Sequence, residues 1–257
     1  MVKTPTSQKS SGTQSPTPQV TVVVPVLNER DNIRPLIAEI VTVLEGRTEF
    51  EIVYVDDGST DTTLETLMEI QHTEPRLRVF SHSRRSGQSA GLRTGIIAAR
   101  GTLIATLDGD GQNDPADIPK LLEAHRAHTD PDRLMITGHR VSRRDTWMKR
   151  RASHFANAIR RAALRDDNPD TGCSLKVYPR EMFLRFPYFD HMHRYLPALA
   201  KRENCDVLVV PVNHRHRTQG QSKYTNLGRL LVSIPDLFGV MWLIRRSPRK
   251  LKTKERC

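Results

Sequence analysis

The chain has 257 residues, of which 37% are hydrophobic, and its formal net charge is +11. That length suits one large α/β domain with appendages, and the charge favours an anionic partner such as nucleic acid, nucleotide phosphate or anionic lipid. The three cysteines are scattered and form no CxxC pair, which argues against a disulfide framework or a zinc site and for a reducing compartment. No apolar run reaches the roughly 18 residues of a membrane-spanning helix.

Predicted strands and helices alternate from Val20 onward. The run Val20–Val26 is continuously apolar, as expected for a strand covered on both faces, and a predicted helix follows it through about Leu44. The other predicted strands are 51–55, 77–81, 102–107, 134–138 and 206–212, and the other predicted helices are 62–71, capped by Asp61, 88–99, and 115–127, capped by Asp114. This alternation predicts right-handed βαβ units and an α/β fold with a mainly parallel sheet flanked by helices.

Ligands of such sheets bind beyond the carboxyl ends of the strands, so the residues that follow each strand are candidate site residues. Asp108 and Asp110 follow the fourth strand, and in extended backbone this spacing puts both side chains on one face. Two oxygen ligands with open positions suit Mg²⁺ or Mn²⁺ shared with a diphosphate. The alternative is a polar turn before the helix that Asp114 caps.

The second strand ends in the stretch VDDGSTD. One interpretation is a turn at Asp57-Gly58 followed by the cap at Asp61, which leaves Asp56 without a reason. The other is a carboxylate that accepts hydrogen bonds from a nucleobase, and both remain open. No GxGxxG follows the first strand and no GxxxxGK[ST] occurs, which argues against dinucleotide-dependent redox chemistry and P-loop hydrolysis.

Two basic segments follow strands. Residues 139–165 carry nine Lys/Arg and one Asp. Those that come soon after the fifth strand, such as Arg140, are expected near the metal edge, where arginine suits phosphate, whereas the later ones fit a solvated helix face. A second basic loop, 214–224, follows the strand 206–212.

Six stretches in order, VVVPVLNE, VDDGSTD, LDGDGQNDP, DTGCSLKVYPRE, HRYLPAL and RTQGQSKY, resemble family 2 glycosyltransferases of the GT-A fold. The resemblance covers about Val20 to Tyr224 and is greatest to polyprenyl-phosphate sugar transferases, typified by dolichol-phosphate mannosyltransferase. One departure is the loop 85–89, where the family usually reads Asn-x-Gly-Lys-Gly and this chain has no lysine.

The resemblance implies an inverting, metal-dependent transfer of a hexose from a nucleotide-diphosphate sugar to a polyprenyl phosphate, with Mg²⁺ or Mn²⁺ as cofactor. Mannose from GDP-mannose is the first expectation; the alternatives are a UDP-sugar donor or a saccharide or glycolipid hydroxyl acceptor. A hydroxyl acceptor needs a carboxylate base, typically in a Glu-Asp pair, and the acids near Asp190 and Glu203 form no such pair.

The resemblance also assigns site residues. The donor is expected to contact Pro25, Asn28, Glu29, Asp56, Asp57, Asp108 and Lys223. The metal is expected to bind Asp108, Asp110 and Gln112. The acceptor phosphate is expected to contact Arg140, Lys149, Arg150, Ser153 and Ser222, and the catalytic set is Asp110, Arg140 and Arg217.

The expected domains are a disordered Ser/Thr/Pro-rich leader (1–19), a GT-A catalytic domain (20–226), and a C-terminal amphipathic helix with a basic tail (227–257). The segment 227–244 is interpreted as an interfacial helix, with core packing as the alternative. With seven Lys/Arg in its last thirteen residues, the chain is expected to sit peripherally on the cytoplasmic face of a membrane. A nucleic-acid-binding module is the rival from another class, but aromatic residues are only 5% of the chain, too few for base stacking, so no nucleic-acid partner is expected.

Overall fold

The structure, a computed structural model, describes residues 17–141, 164, 168–215 and 226–247, with the backbone alone for 226–233. Seven strands were found: β1 (Val20–Val26), β2 (Phe50–Asp56), β3 (Leu77–Ser81), β4 (Leu103–Thr106), β5 (Leu134–Arg140), β6 (Lys176–Pro179) and β7 (Asp206–Val212). The α-helices are α1 (Arg30–Leu44), α2 (Thr63–Gln71), α3 (Gln88–Ala98), α4 (Ile118–Arg126), α5 (Arg180–Leu184), α6 (Leu196–Arg202) and α7 (Asn226–Arg245). Short 3-10 turns cover Pro115–Asp117, Pro131–Arg133 and Met192–Arg194.

The strands form one sheet in the order β3-β2-β1-β4-β6-β5-β7. Every pairing is parallel except those of β6, which runs antiparallel between β4 and β5. The predicted mainly parallel α/β sheet is therefore confirmed. The sequence analysis missed β6, a four-residue strand that begins with a lysine.

Both faces of the sheet are covered, as the apolar run of β1 predicts. Val22 and Val24 pack on one face with α1, α2 and α4, whereas Val23 packs on the other with α3, α5 and α6. On α1 the helical period of the sequence buries one stripe, which includes Ile33, Ile40 and other apolar residues. Burying each such side chain contributes about 1.5–3 kcal/mol.

The predicted cap at Asp114 is confirmed, whereas Asp61 bonds to the start of α2 from one residue before Thr62, the N-cap position of that helix. Asp61 Oδ1 accepts the backbone N–H of Thr63 at 3.0 Å, and Asp114 Oδ1 accepts that of Ala116 at 3.0 Å. The helix predicted after Asp114 differs in form, because a 3-10 turn precedes α4 and α4 ends at Arg126.

The C-terminal segment forms α7, and its described side chains divide between two environments. Val240 is buried against Tyr195 and Ala198, and Leu237 and other partly buried residues pack beside it. Ile234, Phe238 and Trp242, spaced four residues apart, are 47%, 65% and 60% exposed. One side of α7 therefore packs on the core while another presents large apolar side chains to solvent.

Candidate active site

Asp108 and Asp110 lie in the turn that follows β4, not in the extended backbone expected from their spacing. Gly109 between them packs on the end of β1, where an added Cβ would lie 2.3 Å from Val26 Cγ1. Only glycine therefore fits this position. The two carboxylates are nevertheless neighbours, since the charge of Asp110 acts on Asp108 and helps to raise its pKa.

The pair is suited to a divalent cation. Burial is the main cause that raises the pKa of Asp108, followed by the charge of Asp110. Among the described residues, Asp110 Oδ2 and the Gln112 side chain make no hydrogen bond, so these oxygens are open to a ligand. No group of three or more His, Cys, Asp or Glu that could hold a metal occurs in that part of the chain. Two carboxylates and an amide leave positions for water and phosphate oxygens, which fits Mg²⁺ or Mn²⁺.

Gln88, the first residue of α3, donates to Asp108 Oδ1 at 2.7 Å. It occupies the position at which the resembling family usually carries a lysine. The amide therefore orients the Asp108 carboxylate without adding a positive charge.

A buried amine lies near the same site, that of Lys176, which the sequence analysis did not identify. Its side chain is 2% exposed at the start of β6, and Nζ donates to the carbonyl oxygen of Cys173. Burial lowers the pKa of Lys176, and the charges of Cys173, Asp108 and Asp170 oppose that shift. A lysine at the head of the short apolar stretch LKVYP was the signal available in the sequence.

Arg140 is the last residue of β5, and Asp170 holds its guanidinium. Nε and Nη2 of Arg140 donate to the two carboxylate oxygens of Asp170 at 2.7 and 2.6 Å, and the backbone N–H of Arg140 donates at 3.2 Å. Both side chains are largely buried, at 13% and 7% exposed. Arg140 Nη1 makes no hydrogen bond within the described part of the chain, so this fixed guanidinium retains N–H donors for an anion.

Asp56 and Asp57 have different environments. Asp57 Oδ1 accepts from His82 Nδ1 and from the backbone N–H of Ser86, and Oδ2 accepts from the N–H of Gly87, each at 2.8 Å. Asp56 is 2% exposed; Oδ2 accepts the N–H of Ser59 at 3.2 Å, whereas Oδ1 is buried without a partner among the described residues. An orphaned buried acceptor at the ligand-binding edge calls for an N–H from a ligand or a water.

The residues after β1 tie this strand to the loop after β2. Asn28, with φ of 53°, accepts the N–H of Thr60 at 2.7 Å through Oδ1, and Glu29 Oε2 accepts from Asn32 Nδ2 at 2.8 Å. Pro25 lies within β1 beside Val55 of β2. These predicted donor residues therefore shape the edge, and their contact with a donor remains a prediction.

The other predicted phosphate-binding residues fall outside the described part of the chain: Lys149, Arg150, Ser153, Arg217, Ser222 and Lys223. Of the remaining predicted site residues, the structure brings Asp108, Asp110 and Arg140 to one edge of the sheet, since Arg140 lies close enough to lower the pKa of Asp108.

The sequence of the chain is similar to those of known glycosyltransferases. The profile described as glycosyl transferase family 2 matches residues 21–186. The chain is 34% identical over 237 residues to a dodecaprenyl-phosphate galacturonate synthase of Rhizobium johnstonii, covering 90% of this chain and 69% of that protein. It is 32% identical over 207 residues to an undecaprenyl-phosphate 4-deoxy-4-formamido-L-arabinose transferase of Edwardsiella ictaluri, covering 80% and 62%. The chain thus spans about two thirds of the length of these relatives.

Solved structures share the fold at lower identity. Glucosyl-3-phosphoglycerate synthase from Mycobacterium tuberculosis, crystallised with UDP, superposes with a TM-score of 0.63 at 18% identity, covering 90% of this chain and 82% of the other. The mannosyltransferase PcManGT from Pyrobaculum calidifontis, in complex with GDP-Man and Mn²⁺, gives 0.58 at 22% identity, covering 80% and 58%. The predicted GT-A architecture is confirmed by these neighbours.

Proposed function

Because the chain belongs to glycosyl transferase family 2, we propose that it transfers a sugar from a nucleotide-diphosphate sugar to the phosphate of a polyprenol, with inversion at the anomeric carbon. The observation that carries the proposal is the open carboxylate pair, Asp108 and Asp110, set beside the fixed guanidinium of Arg140. Such a site suits two phosphate-bearing substrates. This acceptor class is supported by the names of both relatives, because each name joins a polyprenyl phosphate to a sugar.

The acceptor phosphate needs positioning more than deprotonation. The second pKa of a phosphate monoester lies near ~6, so the attacking oxygen is largely anionic at neutral pH. Arg140, held rigidly by Asp170, would orient that phosphate through its remaining N–H donors. We propose that Lys149, Arg150, Ser153 and Ser222 complete the acceptor site, and that Arg217 and Lys223 contact the diphosphate.

Asp108, Asp110 and Gln112 would hold the divalent ion, which when bound neutralises the negative charge that develops on the departing diphosphate. Gln88 fixes the orientation of Asp108, and Arg140 lies close enough to lower the pKa of the same carboxylate. The chain's own residues therefore stabilise the leaving group from the protein side.

The alternative acceptor is a saccharide or glycolipid hydroxyl, and the position of one carboxylate is compatible with it. Asp190 Oδ1 lies 3.3 Å from the position that a Cβ on Gly87 would take, so a carboxylate is present near the start of α3. If it served as a general base, Asp190→Asn would abolish transfer. Transfer to a phosphate predicts instead that the Asp190→Asn rate stays within a few-fold of the wild-type rate.

The donor sugar is the finer question. GDP-mannose is the first expectation from the sequence resemblance, with a UDP-sugar as the alternative, and the relatives' names favour a galacturonate-like or formamido-arabinose-like sugar. A thermal-shift panel of GDP-mannose, UDP-galacturonic acid and UDP-4-deoxy-4-formamido-L-arabinose, each with and without Mn²⁺, tests nucleotide, sugar and metal together. We expect a metal-dependent rise in Tm with one of them, and no rise with any would contradict the proposal.

The acceptor's lipid chain implies contact with a membrane surface, and we propose that the protein acts peripherally on the cytoplasmic face. No helix in the described residues is long and apolar enough to cross a bilayer. Support comes from the exposed Ile234, Phe238 and Trp242 on α7, followed by the basic residues from Arg245 onward.

A further inference from the structure

Ser89, at the end of the loop 85–89, and His193, the first residue of the stretch HRYLPAL, form a contact that the sequence analysis did not predict. Ser89 lies in the first turn of α3 and is 1% exposed. Its Oγ accepts the backbone N–H of His193 at 3.2 Å and lies 2.8 Å from Nδ1 of the same residue. The serine hydroxyl can accept this backbone N–H and donate its own hydrogen to Nδ1. The imidazole hydrogen then resides on Nε2.

The opposite ring nitrogen of His193, Nε2, has no partner among the residues that the structure describes. Within the described residues Nε2 makes no hydrogen bond, and the side chain is partly exposed. His82 is the contrasting case, since its Nδ1 is paired with Asp57 at 2.8 Å and its Nε2 with Thr94 at 2.9 Å. A histidine with a purely structural role is expected to have both ring nitrogens hydrogen-bonded, as His82 does. His193 instead presents a fixed, unused N–H donor.

The side chain of His193 lies near the proposed active site and carries no charge. Gln88, the neighbour of Ser89, donates to Asp108, and Lys176 lies close enough to act on both Asp108 and His193. Burial lowers the pKa of His193 to about 3, with further contributions from Arg194, Lys176 and His191. The neighbouring carboxylate of Asp190 is engaged by His191. The imidazole is therefore neutral at physiological pH.

We propose that Nε2–H of His193 donates a hydrogen bond to a hydroxyl oxygen of the donor sugar, and that Ser89 is the positioning residue that selects this tautomer. The inference rests on the proposed function. Phosphate oxygens are already matched by the Arg140 guanidinium and, through a bound metal ion, by Asp108 and Asp110, whereas a neutral donor of fixed direction suits an uncharged hydroxyl. His193 would thus contribute to recognition of the sugar, whereas neighbouring residues bind the nucleotide diphosphate.

The test compares His193→Leu, which removes the donor, with His193→Gln, whose amide N–H lies near the position of Nε2–H. Transfer from GDP-mannose and UDP-galacturonic acid to undecaprenyl phosphate gives kcat/KM, and calorimetry with Mn²⁺ gives the affinity for free GDP and UDP. We expect His193→Leu to lower kcat/KM about tenfold, as for one lost hydrogen bond, while the affinity for the free diphosphate changes less than twofold. His193→Gln should recover most of the loss.

A spectroscopic readout tests Ser89 separately. Two-bond ¹H–¹⁵N NMR correlations should show the Nε2–H tautomer of His193 in the wild type and a mixture of tautomers in Ser89→Ala. An Nδ1–H tautomer in the wild type overturns the inference, as does an equal loss of diphosphate affinity and transfer in His193→Leu. If the wild type transfers neither sugar, the proposed function is contradicted; if it transfers one and His193→Leu does so equally well, only this inference fails.

Discussion

Replacing each aspartate of the Asp56-Asp57 pair by asparagine separates two roles that their chemistry alone cannot distinguish. Asp57 accepts three hydrogen bonds from His82, Ser86 and Gly87 and is 4% exposed. Asparagine keeps one acceptor oxygen and turns an NH₂ group toward the remaining N–H donor. Losing one charge-assisted bond and leaving a buried donor unpaired costs about 3 kcal/mol, so Tm of Asp57→Asn should fall by roughly 6–12 °C.

Asp56→Asn is the matched control within the same dipeptide. Oδ1 of Asp56 has no partner to lose, so we expect the free energy of unfolding to change by less than about 1 kcal/mol. If that oxygen accepts an N–H of the nucleobase, the Kd for the nucleoside diphosphate should rise by about 10- to 150-fold, which corresponds to about 1.5–3 kcal/mol.

The assays are thermal unfolding by circular dichroism and calorimetric titration of UDP and GDP with Mn²⁺. The account predicts that Asp57→Asn loses stability and that Asp56→Asn loses affinity. Equal destabilisation by both variants, or unchanged affinity in Asp56→Asn, would refute the assignment of the orphaned oxygen to the base.

Four other variants test separate parts of the account. Asp110→Asn should lower Mn²⁺ binding, measured by electron paramagnetic resonance, and transfer by at least about 100-fold, with Tm unchanged; full activity at saturating Mg²⁺ would contradict the metal site. Lys176→Met, similar in volume, should lose about 1–3 kcal/mol of stability, because the buried carbonyl oxygen of Cys173 loses its donor, and should transfer the sugar at least about tenfold more slowly; a wild-type rate would leave the lysine a purely structural role. The pKa of His193 is lowered to about 3 from its ordinary value near ~6.5, so between these pH values the unfolded state binds more protons than the folded state. Wild-type stability, measured by urea titration, should therefore fall as pH drops below ~6.5, by up to about 1.4 kcal/mol per pH unit. His193→Gln should flatten this slope, and identical slopes would contradict the buried neutral imidazole. Trp242→Glu should reduce sedimentation with phosphatidylglycerol vesicles, whereas Leu208→Glu, also at an exposed apolar residue, should not, and equal effects would argue against docking through α7.

The sheet was predictable because its strands are apolar runs closed by turn and capping signals. The apolar residues of β1 face both layers, and Asp61 and Asp114 accept backbone N–H groups where the sequence predicts that helices begin. The antiparallel β6 was not, since it is short and begins with the buried Lys176, a residue type that normally signals exposure.

The acidic centre of the site was predictable for a similar reason, because parallel strands end at one edge and bring the residues after them together. The partners of those residues were not. Asp170 meets Arg140 across 30 positions of sequence, and Ser89 meets His193 across 104. Such pairs depend on how the loops fold over the sheet edge, which local spacing does not encode. The different roles of Asp56 and Asp57 likewise depend on which N–H groups reach each carboxylate.

Sugar transfer into lipid tests the central claim most directly. Radiolabelled nucleotide sugars are incubated with the protein, Mn²⁺ and undecaprenyl phosphate, and the organic phase is counted. The account predicts label in that phase from at least one donor, dependent on Mn²⁺ or Mg²⁺ and absent when unphosphorylated undecaprenol replaces the phosphate. Equal labelling of the free alcohol, or transfer that persists in chelator, would contradict it.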